Sequence, residues 1–596
     1  MKLSLKSKRQ PELNLLRACV AIVIAPLALR GTSCGQDFDF HLESWMEAAR
    51  QWSQGVLYPH WVASANYGAG EPRFVFYPPF SWTLGAFLGT ILPWTWTPMA
   101  FTAICVLAMG ITFYKMACEW MPGPDAEIAA CLYIINPYIF FVIYERSALG
   151  ELLAAVWLPL LILYALRQKP STLQLALVVA ALWLTNAPAA VMGSYALAVI
   201  TAVAAISQRR WTLIARAAFA MALGLGLAAI YIIPAIYEQR WVEIARSIMP
   251  GMRIQDSFLF EHTGMAYHDQ VLRTASWISV ILLVTTAITI ALSWRARKPQ
   301  FLRAPLLALA ILIAFLLFPI SKFIWNTAPE LRFLQFPWRW MLVLGLIIAT
   351  FAGLALGKQN PSRSSKILRA AAVLLIAAIF CTHAWRHFWL FCDDEDNVRA
   401  QIATLNQQGF EGTDEYTPKA ADNGDIQQNL APIRIVTAPD ADEADSSVEE
   451  NPDWQPNDED LVPAIIQFKR AQTEHITAEI QSPQPGYAIL RLMDYPAWQV
   501  RVNNNLIPRP AGGPEGCAPE WRGTRVRPCG EHRDDGLIAV PIPAGTSTID
   551  VRYVTTPDVW AGRIVSLISL VIWLTLWLAR SAKARRQSGM MKQNAS

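Results

Sequence analysis

The chain has 596 residues, 54% of them hydrophobic and 16% charged, with a mean hydropathy of +0.28 and a formal net charge of +4. That balance excludes a large water-soluble enzyme and fits a polytopic membrane protein. Charge is divided unevenly: 29 of the 46 acidic residues lie between Cys392 and Trp560, against 13 Lys and Arg, so the remainder is basic.

Apolar runs of spanning length occur near 13–30, 98–118, 126–144, 150–166, 172–186, 188–206, 212–236, 273–294, 303–319, 338–357, 366–389 and 562–580. At ~20 residues per helical crossing they predict about twelve spans. The first follows Lys2, Lys6, Lys8 and Arg9; Arg17 and the lack of a small-x-small cleavage pattern favour a retained anchor over a signal peptide.

The first long polar loop, within 31–97, opens with Asp37-Phe38-Asp39-Phe40-His41. Two carboxylates and an imidazole beside a membrane are candidates for chemistry. The plainer reading makes the acids helix caps, which Asp also suits. Over 41–54, Leu42, Trp45, Met46, Ala49 and Trp52 recur at helical spacing opposite Glu43, Glu47, Arg50 and Gln51, predicting an amphipathic helix in the outer interface. Tyr58-Pro59-His60-Trp61, Gly68-Ala69-Gly70 and Tyr77-Pro78-Pro79-Phe80 follow, and 80–94 is expected to form a shallow or re-entrant helix.

Lys and Arg cluster at Arg167 and Lys169, Arg209 and Arg210, 295–298, 358–366 and 580–586. The positive-inside rule places these in the cytoplasm, and therefore 31–97, 145–150, 237–272, 320–337 and 390–561 outside. The outer connection Tyr144-Glu145-Arg146-Ser147-Ala148-Leu149-Gly150-Glu151 brings two acids and a base to the face that carries Asp37. Glu151, beginning a membrane helix, is costly unless used or solvated. Arg332 and Arg339, flanking Gln335-Phe336-Pro337-Trp338, offer guanidinium forks for phosphate, or serve as ordinary interfacial anchors.

Asp393 to Asp460 is polar, acidic and poor in aromatics, and is expected to be largely irregular. Beyond it, 476–480, 488–492, 498–502 and 548–553 alternate as strands of a small β-sandwich. Cys517 and Cys529 are candidates for a disulfide in an oxidising compartment.

Asp37-x-x-Phe40-His41, Gly55-x-x-Tyr58-Pro59-x-Trp61, Gly68-x-Gly70-x-Pro72-x-Phe74-x-Phe76-Tyr77-Pro78-Pro79, the Glu145-Arg146 to Glu151 loop, Gln335-Phe336-Pro337-Trp338-Arg339 and Asp494-Tyr495-Pro496-x-Trp498 together carry a resemblance. The chain resembles bacterial membrane proteins of the YfhO-like and "6-pyruvoyl-tetrahydropterin synthase-related" group, within the GT-C glycosyltransferase superfamily. The resemblance implies a GT-C-like transmembrane domain over 1–389 with its catalytic outer loop at 31–80. An acidic linker at 390–462, an extracytoplasmic β domain at 463–560, and a last helix with a basic cytoplasmic tail at 561–596 complete the expected layout. It also implies a bacterial inner-membrane enzyme that takes a sugar from a polyprenyl-phosphate donor to a glycan, lipid or protein acceptor. Asp37 or Asp39 is then the base, with Glu151 as a further catalytic residue that positions the acceptor or partners the base. His41, Tyr77, Glu145, Arg146, Arg332, Gln335 and Arg339 are the expected substrate-binding residues. Tyr77-Pro78-Pro79-Phe80 is similar to a His-Pro-Pro-Leu element of related mannosyltransferases, with Tyr in place of His.

Such donors need no cofactor, although Asp37, Asp39 and His41 are ligand types a divalent metal accepts. Membrane lipids are expected partners and nucleic acid is not. The rival readings are a non-catalytic glycolipid-binding or envelope-assembly protein and a transporter. Against the transporter, the titratable residues sit at the outer face and not at mid-membrane.

Overall fold

The structure is a computed structural model that describes residues 13–30, 35–167, 171–294, 300–356, 363–386, 397–407, 409–419, 421, 423–437, 461–508 and 535–593. The Cys517–Cys529 pairing and much of the acidic segment lie outside the described residues. Among those described, six helices are long and apolar enough to cross a membrane: Thr97–Ala117, Leu149–Leu166, Ala187–Gln208, Ala266–Ser293, Pro337–Leu356 and Pro557–Lys583. Three bent pairs raise the number to nine if each is one span, and Asn14–Leu29, Thr172–Trp183 and Ala370–Thr382 are shorter apolar helices. The expected apolar stretches thus fall on helices, while length and composition support six to nine crossings.

The bends have local causes. Gly123–Ile134 and Pro137–Glu145 meet at 42°, where Asn136 leaves the helix and its side chain accepts the Tyr138 and Ile139 N–H groups at 3.0 and 3.3 Å. Thr212–Leu227 and Ala229–Trp241 meet at 74°. There Ser566 of the last helix accepts the Ile230 N–H at 2.8 Å and donates to the Leu227 carbonyl at 3.1 Å, satisfying backbone that the break frees. The helix Pro79–Ile91 has 13 residues. At 1.5 Å per residue it is about 20 Å long, too short for a hydrocarbon layer of about 30 Å.

The amphipathic helix forms as Phe38–Ser53, but it does not lie with its polar face in water. Trp45 is fully buried and stacks on Phe101 at 4.8 Å, while Glu43, Glu47 and Gln51 are buried as well. The polar face is taken up by protein. Arg73 Nη1 lies 2.7 Å from Glu43 Oε2, its Nε lies 2.5 Å from Glu71 Oε1, and Gln51 Nε2 donates to the Trp61 carbonyl at 2.6 Å.

The C-terminal region builds two antiparallel sheets around a shared core that includes Ile480, Leu490, Val500, Val540 and Val551. One has the order β1 (Ile433–Val436), β4 (Gly486–Met493), β7 (Leu537–Ile542). The other runs β2 (Ile465–Gln472), β3 (His475–Ser482), β8 (Gly545–Tyr553), β5 (Trp498–Val502), β6 (Asn505–Ile507). The four expected strands are all present. The segment expected to be largely irregular supplies β1, whose buried Ile433 and Ile435 pair with β4, and a helix at Val398–Gln407.

This region docks on the first polar loop. Trp61, 1% exposed, meets the Trp498 ring edge-on at 5.4 Å and Tyr495 at 5.8 Å, while His60 stacks on Tyr553 at 5.3 Å. The Met493 N–H donates to the Ala69 carbonyl at 3.0 Å, and the Thr413 N–H donates to Glu71 Oε2 at 2.7 Å. Gly70, at φ +77°, passes so close to the Trp61 indole that no Cβ fits. The Asp494-Tyr495-Pro496-x-Trp498 motif is thereby accounted for as a docking element.

Truncation of Arg73 to Ala strands Glu43 and Glu71 as buried, unpaired carboxylates, so it should destabilise by about 3–5 kcal/mol. Lys469→Ala, which breaks the exposed 3.2 Å pair with Glu479, should cost about 1 kcal/mol or less. Denaturation of the two variants in detergent checks the contrast; equal losses would contradict it.

Candidate active site

The site is assembled from backbone first. Phe141–Glu145 forms a wide π-helical turn in which the Arg146 N–H reaches the Phe141 carbonyl five residues back at 2.9 Å. Ser147 then takes a left-handed conformation, φ 49°. The turn offers the Arg146 carbonyl to the Asp37 N–H at 2.9 Å and Ser147 Oγ to the Gly35 N–H at 3.0 Å. Gly35 packs directly against the Arg146–Ser147 backbone, where a side chain has no room. Asp37 is therefore held to the Arg146 loop by main chain, independently of side-chain charge.

Asp37 stands at the N-cap of Phe38–Ser53, yet its carboxylate makes no capping bond. Oδ2 lies 4.0 Å from Arg146 Nη2, and 45% of the side chain is open. Protein crowding raises the Asp37 carboxyl above its ordinary range, against the opposing pull of Arg146 and then Arg339. Its open side lets water moderate that rise. Asp39 is exposed and accepts the Phe40 N–H on Oδ1 at 2.7 Å. Of the two candidate bases, only Asp37 is brought to the arginines.

Glu151 is the anchor of the cluster, 2% exposed at the first turn of Leu149–Ala154. Its Oε2 accepts Arg146 Nη1 at 2.8 Å and lies 3.8 Å from Arg339 Nε, while Oε1 accepts the Tyr138 hydroxyl at 2.6 Å. Phe336 lies against both guanidiniums, 5.7 Å from Arg146 Cζ and 5.2 Å from Arg339 Cζ. Arg339 Nη2 donates to Gln335 Oε1 at 3.3 Å, but its buried Nε has no hydrogen-bond partner. Gln335, at φ 61°, also donates to the Ser247 carbonyl at 2.7 Å and so ties Arg339 to the loop after Trp241.

His41 is 2% exposed, and protein occupies both of its ring nitrogens. The Leu149 N–H donates to Nε2 at 3.1 Å, which leaves the proton of the neutral ring on Nδ1, 3.4 Å from Tyr77 Oη. Burial, then Arg73 and Arg146, push its pKa down to about 3. It thus caps the helix that carries Glu151 and joins it to Tyr77.

Besides Asp39, two expected residues are not gathered. Arg332 is exposed and lies over the ring of Phe333, 4.8 Å away, and Glu145 has Arg386 as its electrostatic partner. Asp37, Asp39 and His41 form no metal cage, and no group of three or more His, Cys, Asp or Glu suited to a metal occurs among the described residues. Sequence reasoning missed Tyr138 and Phe336, which look like ordinary core aromatics. It also missed Arg73, where an arginine just ahead of the apolar Phe74-Val75-Phe76 was a usable signal for an internal partner.

The chain matches no protein-family profile and no curated protein sequence. It is similar to solved structures of the arabinofuranosyltransferase AftD from Mycobacteria (TM-score 0.42, 16% identity, 63% of this chain and 27% of that one). Another is the Archaeoglobus fulgidus oligosaccharyltransferase in complex with Zn and sulfate (0.37, 15%, 67% and 53%). A third is ArnT from Cupriavidus metallidurans bound to undecaprenyl phosphate (0.29, 12%, 68% and 90%). The chain spans about a quarter of the length of the first and half of the second.

A histidine held neutral to about pH 3 stabilises the fold above its unfolded value of about 6.5 and loses that contribution as pH falls, by about 1.4 kcal/mol per unit. Between pH 6.5 and 5 the parent should therefore lose about 2 kcal/mol more than His41→Gln. Denaturation of both proteins across that range measures it, and parallel slopes would refute a neutral His41.

Proposed function

We propose that this chain is a GT-C-type membrane glycosyltransferase of the bacterial inner membrane, with its active site and β domain on the extracytoplasmic side. It moves a sugar from a polyprenyl-phosphate donor to a glycan, lipid or protein acceptor. The observation that carries this reading is the open Asp37 carboxylate, free of any capping duty and fastened to a loop whose arginine converges with Arg339 on one buried glutamate.

In this reading Asp37 accepts the proton of the acceptor hydroxyl as that oxygen bonds to the anomeric carbon from the face opposite the phosphate. The carbon–oxygen bond to phosphate breaks with its electron pair leaving on the phosphate, so the sugar is inverted. A phosphate leaves without protonation, and no acid is required opposite Asp37. The raised Asp37 carboxyl makes a better base than a free aspartate, and Arg146 pulls it back toward the ionised form. Arg339, held beside Arg146 on the Glu151 carboxylate, binds the donor phosphate, and its charge is worth most where water is excluded. Glu151 positions both guanidiniums, and His41 keeps the three segments in register.

Asp37→Asn should lower transfer by about 10²–10⁴-fold, the usual worth of a general base, while leaving donor binding in place. Asp39→Asn should stay within a few-fold of the parent. The measurement is turnover of a panel of polyprenyl-phosphate sugars by the reconstituted protein, read by mass spectrometry of the products. Equal activity in Asp37→Asn would remove the base assignment, and donor binding without turnover in the parent would favour a non-catalytic glycolipid-binding protein.

A further inference from the structure

A second group of buried acids lies where the β domain meets the membrane helices, apart from the site above. Glu238, 1% exposed, ends the helix Ala229–Glu238, and Asp558, 6% exposed, begins the last helix. The two carboxyls are close neighbours. Around them Tyr495 donates to Glu238 Oε2, Thr556 Oγ1 donates to Glu238 Oε1 at 3.3 Å, and Tyr553 is the next titratable neighbour. Neither oxygen of Asp558 has a hydrogen-bond partner.

No Lys, Arg or His pairs with either acid among the described residues. The arginines nearest in sequence are laid elsewhere: Arg240 Cζ over the Tyr237 ring at 3.7 Å and Arg563 Cζ over Trp560 at 5.3 Å. Two carboxylates removed from water side by side, without a cation, carry a large desolvation cost. A single shared proton leaves one negative charge and one unpartnered Asp558 oxygen in place. A divalent cation cancels both charges and meets both oxygens, and the surrounding donors are all oxygen, the ligand set of hard cations.

We propose that Glu238 and Asp558 hold a calcium-class divalent cation, with Thr556 Oγ1 as a neighbouring oxygen donor. The ion would bind the end of one membrane helix to the start of another. Through Tyr495, which also packs edge-on against Trp241 at 5.5 Å, it would fasten the β domain to both. This site is independent of the proposed transfer reaction, and none of its tests reads activity.

The experiment uses the full chain in detergent, stripped with EDTA and then titrated with Ca²⁺ or Mg²⁺. Bound metal is counted by elemental analysis and stability is followed by thermal unfolding. The expected result is one tightly held Ca²⁺ per chain, a rise of several degrees in the unfolding temperature, and loss of both in Asp558→Asn and Glu238→Gln. Absence of bound metal in the parent overturns the proposal whether or not the variants fold. So does undiminished Ca²⁺ binding in Asp558→Asn. An Asp558→Asn protein that is as stable as the parent and indifferent to Ca²⁺ and EDTA would show instead that the pair shares a proton.

Discussion

Burial of the Glu151 carboxylate is the constraint from which the rest of the site follows. An anion at the first turn of an apolar helix must be compensated, and here two guanidiniums and a phenol from three other segments converge on it. Arg146 and Arg339 are held near each other despite like charge because they share that acid and the face of Phe336. The outcome is a fixed positive edge beside Asp37.

The same constraint recurs on the other side of the first polar loop. Glu43, Glu71 and Arg73 form a second buried ion cluster, and Thr413 extends it into the chain leading to the β domain. The loop is thus gripped between membrane helices and β domain, by charge near Arg73 and by stacked aromatics around Trp61. Such support is what a reactive carboxylate requires, since positioning within a fraction of an ångström decides its usefulness. Asp37 itself stays open while the chain on either side of it is immobilised.

The outline was legible where a repeated physical signal exists. Hydropathy marked the helices, alternation marked the strands β3, β4, β5 and β8, and the polar connections between helices marked Asp37, Arg146, Glu151 and Arg339 as charges needing a reason. The signals failed where neighbours in space had to be known. Amphipathic spacing over 41–54 implied a helix lying in the membrane interface with its charged face toward water, because nothing local reveals that Arg73 and Trp61 will cover Glu43 and Gln51. β1 was hidden by its Asp- and Pro-rich flanks, although Ile433 and Ile435 alternate as a strand requires.

Composition and periodicity by themselves determined that the chain belongs in a membrane, that a β domain follows the helices, and that acids and arginines gather at helix ends. These are properties of single segments and their solvent preference. Which aspartate meets an arginine, which arginines converge on Glu151, and whether His41 is charged were decided only by the tertiary structure. Each depends on a hydrogen bond or desolvation supplied by residues far along the chain, and the strength of those interactions comes from the exclusion of water that folding alone creates.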